Sequence, residues 1–530
     1  MKQLSGFLVI GIALGLHPGS AQTTTAPVMT DHAAARFLDQ AAWGPNPAAI
    51  AQLQQMGITN WLTAQFALNT SDLPDQPKIN STTGKANRDL TPVQSAFFQN
   101  TVTGQDQLRQ RVAFALSEIW VVSAVSTKDA YAFPPYWRLF RDNAFGNYRD
   151  IMTALTLSPA MGDYLNMANN NKGNPTTGTS ANENYARELM QLFTIGLTQL
   201  NPDGSPVLDS SSNPVPTYSQ SVITDTARAL TGWTYPTAPG AKAKANNPAY
   251  YIGQMFAVEA EHDTTAKSII GGGTIPAGQT ARQDLTSVFD ALMKQPTMAP
   301  FVSRQLIQHL VTSDPSPAYI KRVSSVFTDN GSGVRGDMKA VITAILTDPE
   351  ARAGDDVAAT PNPTFGHMRE PVLFLSNILR GLNATLGPSN AIYASANEMS
   401  QDLFYPETVF SYYSPLYTLE SGQPAPEFQI YSTETAAERA DAVNTALYGA
   451  FDKTTTIDLT SFLQYGSDVT ALVDYISYVF VHHSMSTNLQ QAAVAAANAA
   501  TGANAAAVAL ARVRAALYVV LTSNEYQIVQ

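Results

Sequence analysis

The sequence predicts a mainly α, multi-helix globular protein with a small β insertion near residues 235–278 and an irregular aromatic-rich segment near 404–431. Three observations predict it. Apolar residues recur at helical spacing through most of the chain, as in Leu108, Val112, Ala115, Leu116 and Ile119. Between 235 and 278 that period vanishes, and Gly, Pro and aromatic residues take over. Between 404 and 431 stand Phe404, Tyr405, Phe410, Tyr412, Tyr413, Tyr417, Phe428 and Tyr431, interleaved with Pro406, Pro415, Pro424 and Pro426, which cannot continue a helix.

Each element has a local reason. Asp31 to Trp43 forms a short helix, broken by Gly44-Pro45-Asn46-Pro47; Pro47 opens another that Gly57 stops. Residues 71–90 are a Ser-, Asp-, Pro- and Asn-rich loop. Gln105 to Val122 is a long, mostly buried helix, followed by shorter ones at Asn147 to Leu157 and Pro159 to Asn166. A loop runs from Thr198 to Pro216, and Tyr218 to Leu230 is helical until Gly232 ends it. Inside the β insertion, Tyr250 to Glu261 and Lys267 to Ile270 read as strands. Helices resume at Arg282 and continue to about Leu346. A linker at 354–365 precedes a helix near Gly366 to Leu382, and the Ala-rich end forms two helices split near Gly502. The chain divides into a signal peptide at 1–21, a main helical domain at 22–353 containing the insertion, and a C-terminal helical region at 366–530 packed on it.

Composition narrows function. Of 530 residues 45% are hydrophobic and 14% charged, with a net charge of −11 and no Lys/Arg-rich run. A phosphate-backbone binder concentrates basic charge, so nucleic acid is excluded as an expected partner. Lys2, the apolar run Leu4 to Leu16 and Gly19-Ser20-Ala21 read as a secretory signal cleaved after Ala21. That run is too short to span a bilayer, so the mature chain is expected to be secreted or periplasmic, without a transmembrane anchor. There is no Cys, which removes disulfides and thiolate chemistry.

The densest polar stretch is Ala181-Asn-Glu-Asn-Tyr-Ala-Arg-Glu-Leu-Met-Gln-Leu-Phe-Thr-Ile-Gly196. On a helix, Glu183, Asn184, Arg187, Glu188 and Gln191 share one arc and Tyr185, Leu189, Met190 and Phe193 the other. Ser180 and Glu183 match a capping box, and Glu183 and Arg187 can pair at i,i+4. Glu188 has no such helical partner.

This stretch resembles the signature of the bacterial domain-of-unknown-function 1800 family. Further blocks are similar in order: Ala35-Arg36, Trp43-Gly-Pro45, Trp61-Leu62, Thr217-Tyr-Ser-Gln, Ala227-Arg-Ala-Leu-Thr-Gly-Trp233, His262-Asp263 with Lys267 and Gly271, Arg369-Glu-Pro371, and Pro424-Ala-Pro-Glu-Phe428. Members often carry a Trp-His-Asn-His-Phe run where this chain has Ser117-Glu-Ile-Trp-Val121, so a metal site drawn from those histidines does not carry over. The resemblance implies an exported, mostly helical protein with a sulfatase-like exported partner. It transfers no reaction.

Other motifs weigh less. Glu259, Glu261 and Asp263 would share one strand face, where carboxylates suit Ca²⁺ or Mg²⁺; the same stretch also reads as a polar strand edge entering a turn. His482-His483 point to different faces. Gly331 to Gly336 spells G-x-G-x-x-G but lies between helices, with Asp337 as an N-cap. A divalent metal is the one cofactor the sequence suggests; haem, flavin and nucleotide signatures are missing.

Two function classes follow. In the first the protein is an envelope or extracellular enzyme acting on polysaccharide through paired carboxylates. Glu188 or Asp263 would then be the acid or base, with Arg187, Asp225, Arg228 and His262 beside them and Arg187 orienting an anion. Asn184, Trp233, Lys267, Tyr412 and Glu427 would bind substrate. In the second it is a non-catalytic binding or scaffold protein. An enzyme should gather 182–188, 225–233 and 262–267 around an open pocket; a scaffold should close the same charges into ion pairs.

Overall fold

The computed structural model describes residues 29–358 and 362–529. The signal-peptide reading of residues 1–21 lies outside them, as does part of the 354–365 linker. The chain is mainly helical, with strands confined to two-stranded pairs.

The predicted helices form where their stop signals say. Thr30 caps Asp31–Ala41 by accepting from the Ala33 amide. Pro47–Ala67 kinks at Gly57, whose φ of 72° no bulky residue adopts comfortably. The helix then resumes, because Trp61 and Leu62 have core to reach. Gln107–Ile119 lies almost wholly inside. Gln220–Ala229 runs to Gly232, where φ is 85° and a Cβ would sit 3.0 Å from His262. Asp337 caps Met338–Thr347 as expected, accepting from Lys339 and Ala340. The helix expected from Gly366 begins later, at Pro371, because His367–Met368 is drawn into a strand with Ile528–Val529. Helices at Thr91–Thr103, Phe133–Asn143, Thr433–Tyr448 and Val469–Phe480 were not marked by the sequence reading.

The β insertion is smaller than predicted. Trp233–Thr234 pairs with Phe256–Ala257, and Lys267–Ile269 with Gly273–Ile275. The strand expected over Tyr250 to Glu261 is a correction: Glu259–Glu261 is a 3₁₀ turn. The Glu259 carboxylate accepts from the Ala281 amide at the start of Ala281–Met293, and that local bond holds the turn in place of a strand ladder. The 404–431 segment is irregular apart from a 3₁₀ turn at Pro426–Ile430.

One hydrophobic core runs from Ala34 to Tyr526. Its aromatic centre includes Trp120 stacked on Phe193, with ring centroids 4.3 Å apart. Asp31–Ala41 is enclosed on nearly every side, and Arg36, Asp39 and Gln40 are buried with its apolar residues. Both Val469–Phe480 and Ile528–Val529, from the C-terminal part of the chain, contact that helix. Among the described residues no helix is long and apolar enough to cross a membrane.

Candidate functional site

The fold does bring the three sequence-predicted blocks together, and it ties most of their charged side chains to one another. Asn184–Gln191 packs on Gln220–Ala229, which packs on Lys267–Ile269. Arg228 donates to Asp225 at 2.6 Å and to Asp263 at 2.8 Å. The second Asp225 oxygen accepts from the Ser268 amide. Burial alone would raise the Asp263 carboxyl; hydrogen bonds from Arg228 and Thr265 hold it down to about 2. Glu183 takes Arg187 at 3.1 Å, Gln220 at 2.8 Å and Thr224 at 2.7 Å. Those partners pull its side chain away from a capping box with Ser180; Asn182 accepts from the Asn184 amide instead. Asn184 itself donates to Asn166.

Glu188 alone keeps the character the sequence suggested. One of its oxygens is buried without a hydrogen-bond partner, and burial raises its pKa. Trp233 is buried under the Arg282 guanidinium. Glu259, Glu261 and Asp263 share no strand face, and among the described residues no three His, Asp or Glu side chains are placed to hold a metal ion.

His262 and Lys267 belong to a sealed network. Asp284, fully buried, lies 3.2 Å from His262 Nε2 and 2.8 Å from Lys267 Nζ. The Lys267 ammonium also donates to the Asp263 and Thr265 carbonyls. Removing one member strands the others away from water. Lys267→Met should therefore cost about 3–5 kcal/mol in urea unfolding, and adding Asp284→Leu should restore part of it. A single variant as stable as the parent would disprove this buried pairing.

A hollow lies beside Asp31–Ala41, where Val469–Phe480 and Ile528–Val529 meet it. About 170 Å³ in volume, it is lined by His32, Arg36, Asp39, Arg369, Phe480 and His482, with Phe365, Ser484 and Glu525 at its sides. Its volume is that of several waters. Asp39 holds the centre. One oxygen accepts from His482 Nε2 at 2.7 Å and from Arg369 at 2.5 Å; the other accepts from Asn377 at 2.8 Å. Tyr526 fixes Asn377 in turn, donating to it at 2.8 Å. Burial would raise the Asp39 carboxyl, but Arg369 and His482 hold it down to about 2.

Since Asp39 accepts at Nε2, the neutral His482 ring carries its lone pair on Nδ1. That nitrogen is buried and has no partner. Burial lowers the His482 pKa, so the ring is neutral at pH 7. The backbone here is strained: His482 and His483 adopt φ of 55° and 63°, a region non-glycine residues seldom enter and which concentrates at functional sites. The two rings do point apart, His483 stacking on Tyr478 outside. His32 braces the turn with one ring nitrogen 2.5 Å from the His482 carbonyl and the other 2.7 Å from the Gly354 carbonyl.

A second unusual cluster lies beneath the aromatic segment. The Gln401 amide donates to both the Glu118 and the Glu370 carboxyl, at 3.2 and 2.5 Å, which sets the two side by side. Tyr413 donates to Glu370 at 2.8 Å, and His309 lies 3.2 Å from Glu118. Glu427 accepts from Ser313 and lies 3.6 Å from His367, while Tyr412 bonds the Asp402 carbonyl. Burial, the largest cause for both, pushes Glu118 up to about 7 and Glu370 to about 8. The adjoining cavity, about 10 Å³, has room for a single water.

Sequence reasoning missed Asp39, Arg369 and His482 as a group, because His482 is 443 positions from Asp39. The available signals were separate: Arg36 and Arg369 stand in blocks already singled out, and His482 in the adjacent histidine pair.

Fold and site together define a mainly α, multi-helix protein with buried titratable side chains gathered where its first described helix meets Val469–Phe480 and Ile528–Val529. The chain belongs to the family described as "Protein of unknown function (DUF1800)", which matches residues 36–528. Neither the comparison with curated proteins nor that with solved structures gives a match.

Proposed function

We propose that this protein is an exported hydrolase whose active site is the hollow at Asp39, Arg369 and His482, and whose substrates are ester-bearing envelope or extracellular polysaccharides. The observation that carries the reading is the His482 ring: oriented by a buried carboxylate, neutral at pH 7, with an unpartnered Nδ1, in a residue that lines the hollow. That is the arrangement of a general base.

In the proposed step His482 Nδ1 takes a proton from water as its oxygen attacks an acyl carbon. The acyl C–O bond then breaks, and the imidazolium returns the proton to the leaving alkoxide. Arg36 and Arg369 place positive charge on the lining, where negative charge develops on the acyl oxygen. Phe365, half-buried at the side of the hollow, offers an apolar surface to a sugar ring. Export rests on the reading of residues 1–21.

Cleavage of the glycosidic bond itself is less well served. It places two carboxyls about 5–9.5 Å apart around the bond, whereas Glu118 and Glu370 touch each other in a space that admits no sugar. The closed ion pairs around Arg187 and Arg228 act as framework in this reading.

The test uses His482→Asn. Asn is among the few residues that accept a left-handed backbone, so the turn should survive. The mature protein is incubated with p-nitrophenyl acetate and O-acetylated polysaccharides, with and without EDTA. Hydrolysis should fall about 10²–10⁴-fold in the variant, as for loss of a general base, measured at a temperature where circular dichroism shows the variant folded. No release by the parent, or equal release by the variant, would overturn the reading and favour a binding or scaffold role.

A further inference from the structure

Arg369 and Glu370 are consecutive, yet they serve two different networks. Arg369 reaches Asp39 in the hollow and the Tyr526 carbonyl beside it. Glu370 reaches Glu118 and Tyr413 under the aromatic segment. The turn between them is held by few other bonds. The Arg369 amide donates to the Gln527 carbonyl at 2.8 Å, and Glu370 is the N-cap position of Pro371–Gly381 without donating or accepting a side-chain cap bond. The same helix carries Asn377, the third partner of Asp39. A movement at the Glu370 end of this turn is therefore felt at Asp39 by two routes.

We propose that the Glu118–Glu370 carboxyl pair is a proton-operated coupling element for the hollow: holding one shared proton it ties the Arg369–Glu370 turn to Gln107–Ile119, and losing that proton shifts Arg369 and with it the Asp39–His482 pair. The proposal deepens the hydrolase reading, since it assigns regulation to the same site, but its geometry stands apart from any substrate.

Two carboxyls in contact cannot both ionise without strong repulsion, so the pair behaves as one titrating unit. The proton belongs to the pair, which one Gln401 amide group bridges, and burial raises both members. The charged and titratable groups around the pair come from every neighbouring element. Arg111 lies on the Glu118 helix, His309 on Met298–Leu310, Tyr412, Tyr413 and Glu427 on the cover, and Arg439 on Thr433–Tyr448. Arg111 is the nearest counter-charge, but its guanidinium is committed to the His309 carbonyl on one side and leaves two buried nitrogens unpaired. It favours an ionised carboxylate on the pair without making a salt bridge to it. His309 is lowered by burial and stays neutral beside them. Loss of the shared proton thus creates a second negative charge that nothing nearby neutralises. The cover that would have to yield already holds three residues of positive φ, Ser400, Phe404 and Ser411, of which a phenylalanine is an unusual occupant.

The experiment follows the His482 ring by NMR in the mature chain labelled at its histidines, of which the whole sequence holds seven. The His482 signal is assigned by its disappearance in His482→Asn. Between pH 6 and 9 the parent signal should show an extra inflection, which Glu370→Gln abolishes, because Gln remains neutral as the protonated carboxyl is. Glu118→Gln serves in the same way if the first variant fails to fold. Should both fail, amide exchange at residues 371–377 of the parent, corrected for intrinsic pH dependence, should accelerate above pH 8. Superimposable His482 curves, or exchange that does not change, would overturn the coupling. Ester hydrolysis is not read in any arm, so failure here is distinct from failure of the hydrolase reading.

Discussion

Asp39→Ala should destabilise the protein by about 3–5 kcal/mol at pH 7 in urea unfolding, the largest effect expected of any exchange in the hollow. Three donors converge on this carboxylate, and all are buried. Without it the Arg369 guanidinium keeps the Tyr526 carbonyl but has no counter-charge. The His482 ring also loses the acceptor that fixes its tautomer. The pH dependence gives an independent check. Asp39 is held at about 2, below the usual carboxylate value, so its stabilisation is complete above about pH 4 and disappears as pH falls through about 2. Two units correspond to roughly 2–3 kcal/mol. The parent should therefore lose stability between pH 4 and 2 more steeply than Asp39→Ala, which has no such group to protonate. Parallel acid limbs in the two proteins, or a variant as stable as the parent at pH 7, would show that Arg369 and His482 do not depend on Asp39.

The position of Asp39 explains what was and was not readable in the sequence. Helical period and stop signals are local, and they located Asp31–Ala41, Gln107–Ile119 and Gln220–Ala229 to within a few residues. They also separated the β insertion and the aromatic segment from the rest. Burial is not local. In an ordinary surface helix Arg36, Asp39 and Gln40 would form the wet face, yet here that face is covered by the C-terminal end of the chain. Conversely, the arc at Glu183, Arg187 and Glu188 reads as a reactive cluster. Nothing within its own turn revealed that Gln220 and Thr224, some forty residues on, complete the Glu183 shell. Strand face arguments failed at Glu259 and Glu261 for a related reason: a single carboxylate bond to the Ala281 amide decided the local backbone.

Glu370→Gln should remove most of the alkaline instability of the protein. Both carboxyls of the buried pair are raised above the ordinary glutamate value, to about 7 and about 8, so the sign is opposite to that of Asp39. Below about pH 4.5 folded and unfolded chains are alike protonated and the pair has no effect on the pH slope. From there upward the unfolded chain ionises first, and the folded state falls progressively behind until pH passes about 8. Taken together, the two shifts correspond to a loss on the order of 8 kcal/mol between pH 5 and 9. In the variant one partner can no longer ionise, so the remaining Glu118 keeps Gln401 and a neutral amide as neighbours and meets no second charge. The variant should therefore be less pH-dependent than the parent, and above pH 8 more stable than it, although it lacks a native side chain. Melting temperatures measured across this range decide the matter: equal slopes would mean that the two carboxyls titrate elsewhere and that the contact between them carries no shared proton. The acid limb governed by Asp39 lies several units away, so neither measurement obscures the other.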